Sequence, residues 1–138
     1  MTLHPEIFSE AQTEMDTVVG RDRLPELSDR EKLPFLECII KEVYRWNPPA
    51  PIGAAHRLME DDIYQGYLIP KGSGLINQDH VTCSLMILIG TTIVTNIWAM
   101  THDQHVYPDP MRFDPHRFSG QCPCPDPRAF VFGFGRRR

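Results

Sequence analysis

Apolar residues recur at helical spacing over the first third of the chain. Ile7, Ala11, Met15, Val18 and Val19 fall on one face, Pro5 suits a first helical turn and Gly20 can close it, which predicts a helix over about residues 5–19. Ser28 followed by Glu31 reads as a capping box opening a short turn. Phe35, Leu36, Ile39, Ile40, Val43 and Trp46 then line one face of a second helix, which Asn47, Pro48 and Pro49 stop. Beyond Pro51 the pattern changes. Ile63 to Ile69 reads as two short strands around Gln65 and Gly66, a small hairpin ending at Pro70, Lys71 and Gly72. The apolar stretch after Gly74 fits a buried strand or a helix, and Ile97 to His102 predicts one or two helical turns. Six prolines between Pro108 and Pro127 forbid long regular elements, so this part is expected to be an extended meander held by side chains.

Composition narrows the reading. The 138 residues make about one domain. The chain has 41% apolar and 23% charged residues, a globular composition, and 13 prolines are nearly twice the usual share of about 5%. Fourteen basic against 18 acidic residues give a net charge of −4, which argues against bulk electrostatic binding to nucleic acid. The run from Leu85 to Met100 contains Gly90, Thr91, Thr92, Thr95 and Asn96 and is too short to span a bilayer, so no membrane segment is expected. Cys38, Cys83, Cys122 and Cys124 show no framework spacing, and the N-terminus lacks the regions of a signal peptide, which points to a reducing compartment.

Candidate chemistry is sparse when each feature stands alone. Glu42 and Arg45 sit three apart beside the apolar stripe of the second helix; an exposed pair at that spacing contributes only about 0.2–0.5 kcal/mol. A half-buried pair needs a third partner from elsewhere in the chain, and the meander offers Arg112 and Arg117. His56, alone at the start of a strand, reads as a hydrogen-bonded structural residue. Cys122 and Cys124 flank Pro123 without a second pair at zinc spacing, so no metal site is assigned to them. The terminal Arg136, Arg137 and Arg138 carry too few charges for a nucleic-acid tail. No GxSxG, HExxH, phosphate loop or dinucleotide fingerprint is present.

Order and spacing change this picture. HPEIFSEAQTEMDTVVG, LPFLECIIKEVYRWNPPAP, HRLMEDDIYQGYLIPKGS, NIWAMTHDQHVYPDPMRFDPHRF and FVFGFGRRR follow one another as in the C-terminal portion of a cytochrome P450, and the wording resembles fungal microsomal-type members. The resemblance implies a mainly α fold with a small β hairpin, residues 1–138 forming an incomplete part of the P450 domain. Glu42 and Arg45 match the family's ExxR motif. Arg117, within Pro115, His116, Arg117 and Phe118, matches the PERF arginine, which implies a buried structural triad of Glu42, Arg45 and Arg117. His116 stands where the motif has glutamate, which leaves the local pairing open.

The resemblance further implies a haem cofactor, iron protoporphyrin IX. His56 and Arg137 match positions that hydrogen-bond its propionates, and both side chains suit an anionic carboxylate. Phe132 and Gly135 match the aromatic and the glycine of the cysteine-ligand loop, where small size lets backbone approach the porphyrin. The axial cysteine is expected directly after Arg138, and none of the four cysteines present occupies that loop. No catalytic residue is therefore assigned within the chain.

For the parent protein the implied activity is insertion of one oxygen atom of dioxygen into a small organic substrate, with NADPH electrons delivered by a reductase partner. The implied place is the cytosolic face of the endoplasmic reticulum membrane. The competing expectation is a catalytically inactive truncated product, lacking the thiolate ligand and the oxygen-activating helix, with poor autonomous folding because apolar helix faces stay uncovered. Residues 74–91 interrupt a segment that family members run straight through; removing them joins PKGS to TIVTNIWAMTHD, so this stretch is expected to be an insert, read here as translated intron sequence.

Overall fold

The computed structural model describes residues 2–53, 56–64, 66–75, 92–93, 95–120 and 124–132, with backbone alone at 56–57, 74–75 and 92–93. The suspected insert, apart from Gly74 and Leu75, lies outside the described residues, as do Cys122, Gly135 and Arg137.

Helix α1 spans Pro5–Val18, with proline in its first turn, and α2 spans Pro34–Trp46. Ile7 and Ala11 of α1 and Ile39 of α2 form a small buried core, with Phe35 and Phe113 packed on it. A carboxylate joins the helices as well: Glu14 of α1 accepts the N–H groups of Phe35 at 2.8 Å and Leu36 at 2.9 Å. These are orphan donors of the first turn of α2, so one helix caps the other, and a negative charge suits that end of the dipole. The turn between the helices is a 3-10 helix, Leu27–Lys32. Its reciprocal cap differs from the one that sequence suggests. Asp29, and not Glu31, reaches back, accepting the Glu26 N–H at 2.9 Å while Arg23 grips its carboxylate at 2.7 and 2.8 Å.

Two short β units follow. Strands β2 (Asp62–Tyr64) and β3 (Tyr67–Ile69) form the expected antiparallel hairpin, pairing Ile63 with Leu68 and Tyr64 with Tyr67. Gly66, at φ 84°, takes the left-handed conformation that a two-residue connection requires. A second sheet is built from β1 (His56–Arg57), β4 (Gly74–Leu75) and β5 (Thr92–Ile93), with β1 antiparallel to β4 and β4 parallel to β5.

The proline-rich remainder holds three single-turn elements. Helix α3 spans Ile97–Thr101, opened by the Asn96 side chain, which accepts the Ala99 N–H at 3.0 Å. A 3-10 helix spans Pro115–Phe118 and packs against α2. Helix α4, Arg128–Val131, packs on α2 and α3; it carries no periodic signal and is absent from the expectations above.

The buried stripe of α2 also departs from the apolar pattern. Glu42 and Arg45 are 0% exposed, whereas Val43 and Trp46, expected on the core face, are 47% and 37% exposed. Together with Ile63, Tyr67 and Leu68, which are also exposed, they leave large apolar side chains at the surface. The isolated chain is therefore expected to bind a hydrophobic dye and to associate as concentration rises. Dye fluorescence and sedimentation velocity check this, and a dye-silent monomer at all concentrations would contradict it.

Candidate functional site

The charged pair on α2 is buried because the meander supplies partners for every one of its atoms. The Arg45 Nε and Nη2 donate to the two Glu42 carboxylate oxygens at 2.7 and 2.8 Å. Its Nη1 donates to the carbonyls of Thr101 at 3.0 Å and Pro110 at 2.8 Å, and Nη2 also reaches the Arg112 carbonyl at 3.3 Å. A guanidinium has five N–H donors, and all five are used.

Arg117 enters from the 3-10 helix. Its Nε lies 3.2 Å from Glu42 Oε1 and 3.1 Å from Oε2. Its Nη1 donates to the Pro108 carbonyl at 2.7 Å, and its Nη2 to the carbonyls of Asp109 at 3.4 Å and Arg112 at 3.1 Å. Glu42 accepts, in addition, the backbone N–H of Asp114 at 2.8 Å. Of the two arginines that sequence offers as a third partner, Arg117 brings its side chain and Arg112 brings only its carbonyl.

One carboxylate against two guanidiniums leaves a net positive charge in a buried place. Five carbonyls, from Thr101, Pro108, Asp109, Pro110 and Arg112, point their negative ends at that charge. Asp109 makes this possible with φ 48°, a left-handed turn that aspartate tolerates better than most side chains. The Tyr107 ring, fully buried, stands 5.7 Å from the Arg45 guanidinium carbon, within cation–π range. Burial pushes the Tyr107 phenol well above its ordinary value, and its O–H donates to the Pro125 carbonyl at 2.8 Å. The network thus fixes the backbone from Thr101 to Asp114 and reaches Pro125 through Tyr107.

A second network lies along the other end of α2. Arg128 of α4 donates to Glu37 at 2.6 Å and holds Asp126 with Nε and Nη2, while Arg30 holds Glu37 from the opposite side at 2.9 to 3.2 Å. Burial alone would raise the pKa of the Glu37 and Asp126 carboxyls, but the adjoining guanidiniums outweigh it and hold both below their ordinary values. Sequence reading missed this cluster. Asp126, Pro127 and Arg128 carry the available signal, an acidic residue before a proline at a helix start, and Asp126 does accept the Arg128 N–H at 3.0 Å.

His116 resolves the pairing that the sequence left open. Its Nε2 lies 3.3 Å from Glu10 of α1, and its ring sits 5.0 Å from Phe35 of α2, so it touches both helices. Cys38 is buried and burial pushes its thiol up, which makes it an inert side chain. Among the described residues no group of three His, Cys, Asp or Glu is arranged to hold a metal ion.

The four residues assigned to haem are placed less completely. His56 opens β1, paired with Leu75. Phe132 follows α4, 54% exposed, its ring edge-on to Tyr44 of α2 at 5.0 Å. Gly135 and Arg137 lie outside the described residues. By residue chemistry alone the set suits an anionic porphyrin, with an imidazole and a guanidinium for carboxylates; of the four residues the described structure places the side chain of Phe132, which is exposed.

Comparison with known proteins gives the family. The cytochrome P450 family model matches residues 1–77 and 75–138. Cytochrome P450 monooxygenase 176 of Postia placenta is 50% identical over 141 aligned residues, which cover 99% of this chain and 24% of that protein. O-methylsterigmatocystin oxidoreductase of Aspergillus flavus is 44% identical, covering 99% of this chain and 23% of its own length. A zebra fish cytochrome P450 solved with progesterone superposes with a TM-score of 0.72 at 33% identity, over 97% of this chain and 26% of that one. The chain spans about a quarter of the length of the relatives it matches.

Removing one member of a buried, hydrogen-bonded charge cluster strands the others, at a cost of about 3–5 kcal/mol. Glu42→Gln is expected to destabilise the protein by that order in denaturant unfolding, whereas exposed Glu31→Gln stays within about 0.5 kcal/mol. Equal effects at the two positions would contradict the buried network.

The second network predicts acid sensitivity. Because the folded Glu37 and Asp126 have depressed pKa values, their stabilisation is present above the ordinary carboxylate value, about 4, and is lost as pH falls below it. Arg128→Gln is expected to flatten the loss of unfolding midpoint on acidification, and an unchanged pH slope would count against the pairing.

Proposed function

The chain belongs to the cytochrome P450 family, and from that premise we propose that it forms the haem-cradling part of a haem-thiolate monooxygenase acting on a small organic substrate. When bound, the haem supplies activation of dioxygen at its iron, so that one oxygen atom is inserted into the substrate. The task of this chain's residues is to hold and orient that group. His56 and Arg137 would donate to its propionates, Phe132 would offer its ring to the apolar face, and Gly135 would let the backbone come close. The charge cluster of Glu42, Arg45 and Arg117 would serve as scaffold.

The observation that carries this reading is the closed set of partners around Glu42 and Arg45, reaching residues 101–117. A proline-rich segment has no ladder to hold it, and a flat cofactor needs walls placed to within about half an ångström. Charge-assisted hydrogen bonds from fixed guanidiniums supply that placement where backbone pairing cannot. Electrons are proposed to come from NADPH through a reductase partner, and the proposed place is the cytosolic face of the endoplasmic reticulum membrane. Among the described residues no helix is long and apolar enough to cross a membrane. Residues 74–91 are proposed to be an insert, read as translated intron sequence.

The test is spectroscopic. The complete protein loaded with haem is expected to give a thiolate-type Soret band in its ferrous carbon monoxide complex. His56→Leu and Arg137→Leu are each expected to speed haem transfer to apomyoglobin about tenfold, the lower end of the effect of losing a supporting contact at a metal centre. A protein without the thiolate-type band, or variants that retain haem as well as the parent, would contradict the proposal.

A further inference from the structure

Helix α4 consists of four residues, Arg128–Val131, with the N–H groups of Phe130 and Val131 both donating to the Pro127 carbonyl at 3.0 Å. A single turn is unstable by itself, since nucleation fixes several dihedrals for one or two hydrogen bonds. Something outside must hold it, and the sequence directly after it runs Phe132, Gly133, Phe134, Gly135.

Beside its packing on α3, two contacts with α2 do so. Arg128 at the start of α4 reaches Glu37, 91 residues away in sequence, at 2.6 Å. Phe132 at its end meets the Tyr44 ring edge-on at 5.0 Å. Glu37 and Tyr44 are seven residues apart, hence two turns along one face of α2, about 10 Å along its axis. The short helix is therefore pinned at both ends to a helix that is itself locked by the Glu42 network. The guanidinium is well suited to its end of this clamp. Asp126 occupies its Nε and Nη2, which fixes the plane of the fork, and Nη1 is left to reach α2. Arg30, on the far side of Glu37, completes an alternating row of charges, Arg30, Glu37, Arg128, Asp126, without a net excess.

We infer that Arg128 is a positioning residue for the haem: through Glu37 it sets the place of Phe132, whose ring meets Tyr44 at the end of α4. This rests on the haem-cradling reading above. Arg128 touches no reacting atom, and its effect passes through α4.

The test compares the complete haem-loaded protein with Glu37→Gln, Arg128→Gln, Arg128→Lys, Asp126→Asn and the double Glu37→Gln/Arg128→Gln. Haem transfer to apomyoglobin and the ferrous carbon monoxide spectrum are read alongside the denaturant midpoint. Glu37→Gln and Arg128→Gln are each expected to speed haem loss about tenfold and to reduce the thiolate-type fraction of the Soret band. The double variant is expected to lose haem no faster than either single one, because the Glu37–Arg128 contact that carries the effect is already lost in each. Arg128→Lys keeps the charge without the fork, and Asp126→Asn weakens the grip that fixes the plane of the fork, so both are expected to fall between parent and Arg128→Gln. Haem loss unchanged in Glu37→Gln and Arg128→Gln, or rates that multiply in the double variant, would overturn the inference while leaving the proposed function standing. An unmutated protein lacking the thiolate-type band would overturn both.

Discussion

A single carboxylate, Glu42, organises this molecule. Taking an ion out of water is expensive, and a second cation makes the local charge unbalanced, so the arrangement stands only if every donor and acceptor finds a partner. Here that demand fixes geometry. Arg45 and Arg117 cannot satisfy their donors on one helix, and the carbonyls they need lie on a loop that proline prevents from pairing with anything else. Each side solves the other's problem: the loop neutralises the buried charge, and the charge gives the loop a fixed course. Tyr107 extends this order by packing on Arg45 and donating to Pro125, which carries it to the threshold of α4.

From this follows a division of labour along α2. Its C-terminal half locks the meander, its first half receives the cap from Glu14 and the grip of Arg30 and Arg128, and Tyr44 meets the ring of Phe132. One helix thus serves as the reference for segments that lie 50 to 90 residues away in sequence, and a cofactor resting on those segments would be placed relative to α2. Under the proposed function this arrangement would serve to place the protein around a group that carries the reactivity itself.

Much of the framework was legible in the sequence. Helical periodicity, with Pro5 and Gly20 bounding α1 and Asn47, Pro48 and Pro49 stopping α2, located both helices, and Gln65 with Gly66 between short apolar runs located the hairpin. The partner of Glu42 and Arg45 was not legible from spacing alone; it emerged from the ordered resemblance of five segments. Counting apolar positions misplaced Val43 and Trp46, because it treats charge as outward-facing and cannot foresee carbonyls arriving from residues 101 to 112. The cap at Asp29 was missed in favour of Ser28 and Glu31 because its strength depends on Arg23, outside the local motif. Helix α4 was missed because four residues have no period, and its anchor, Glu37, is remote in sequence.

The most direct measurement of the central idea is native-state amide hydrogen exchange at Asp114. Its N–H belongs to no helix or strand and donates to Glu42 at 2.8 Å. If Glu42 holds the meander, this loop amide exchanges as slowly as the amides in the middle of α2, and Arg117→Leu releases it. Exchange at the rate of a free loop amide in the unmutated protein would contradict the account.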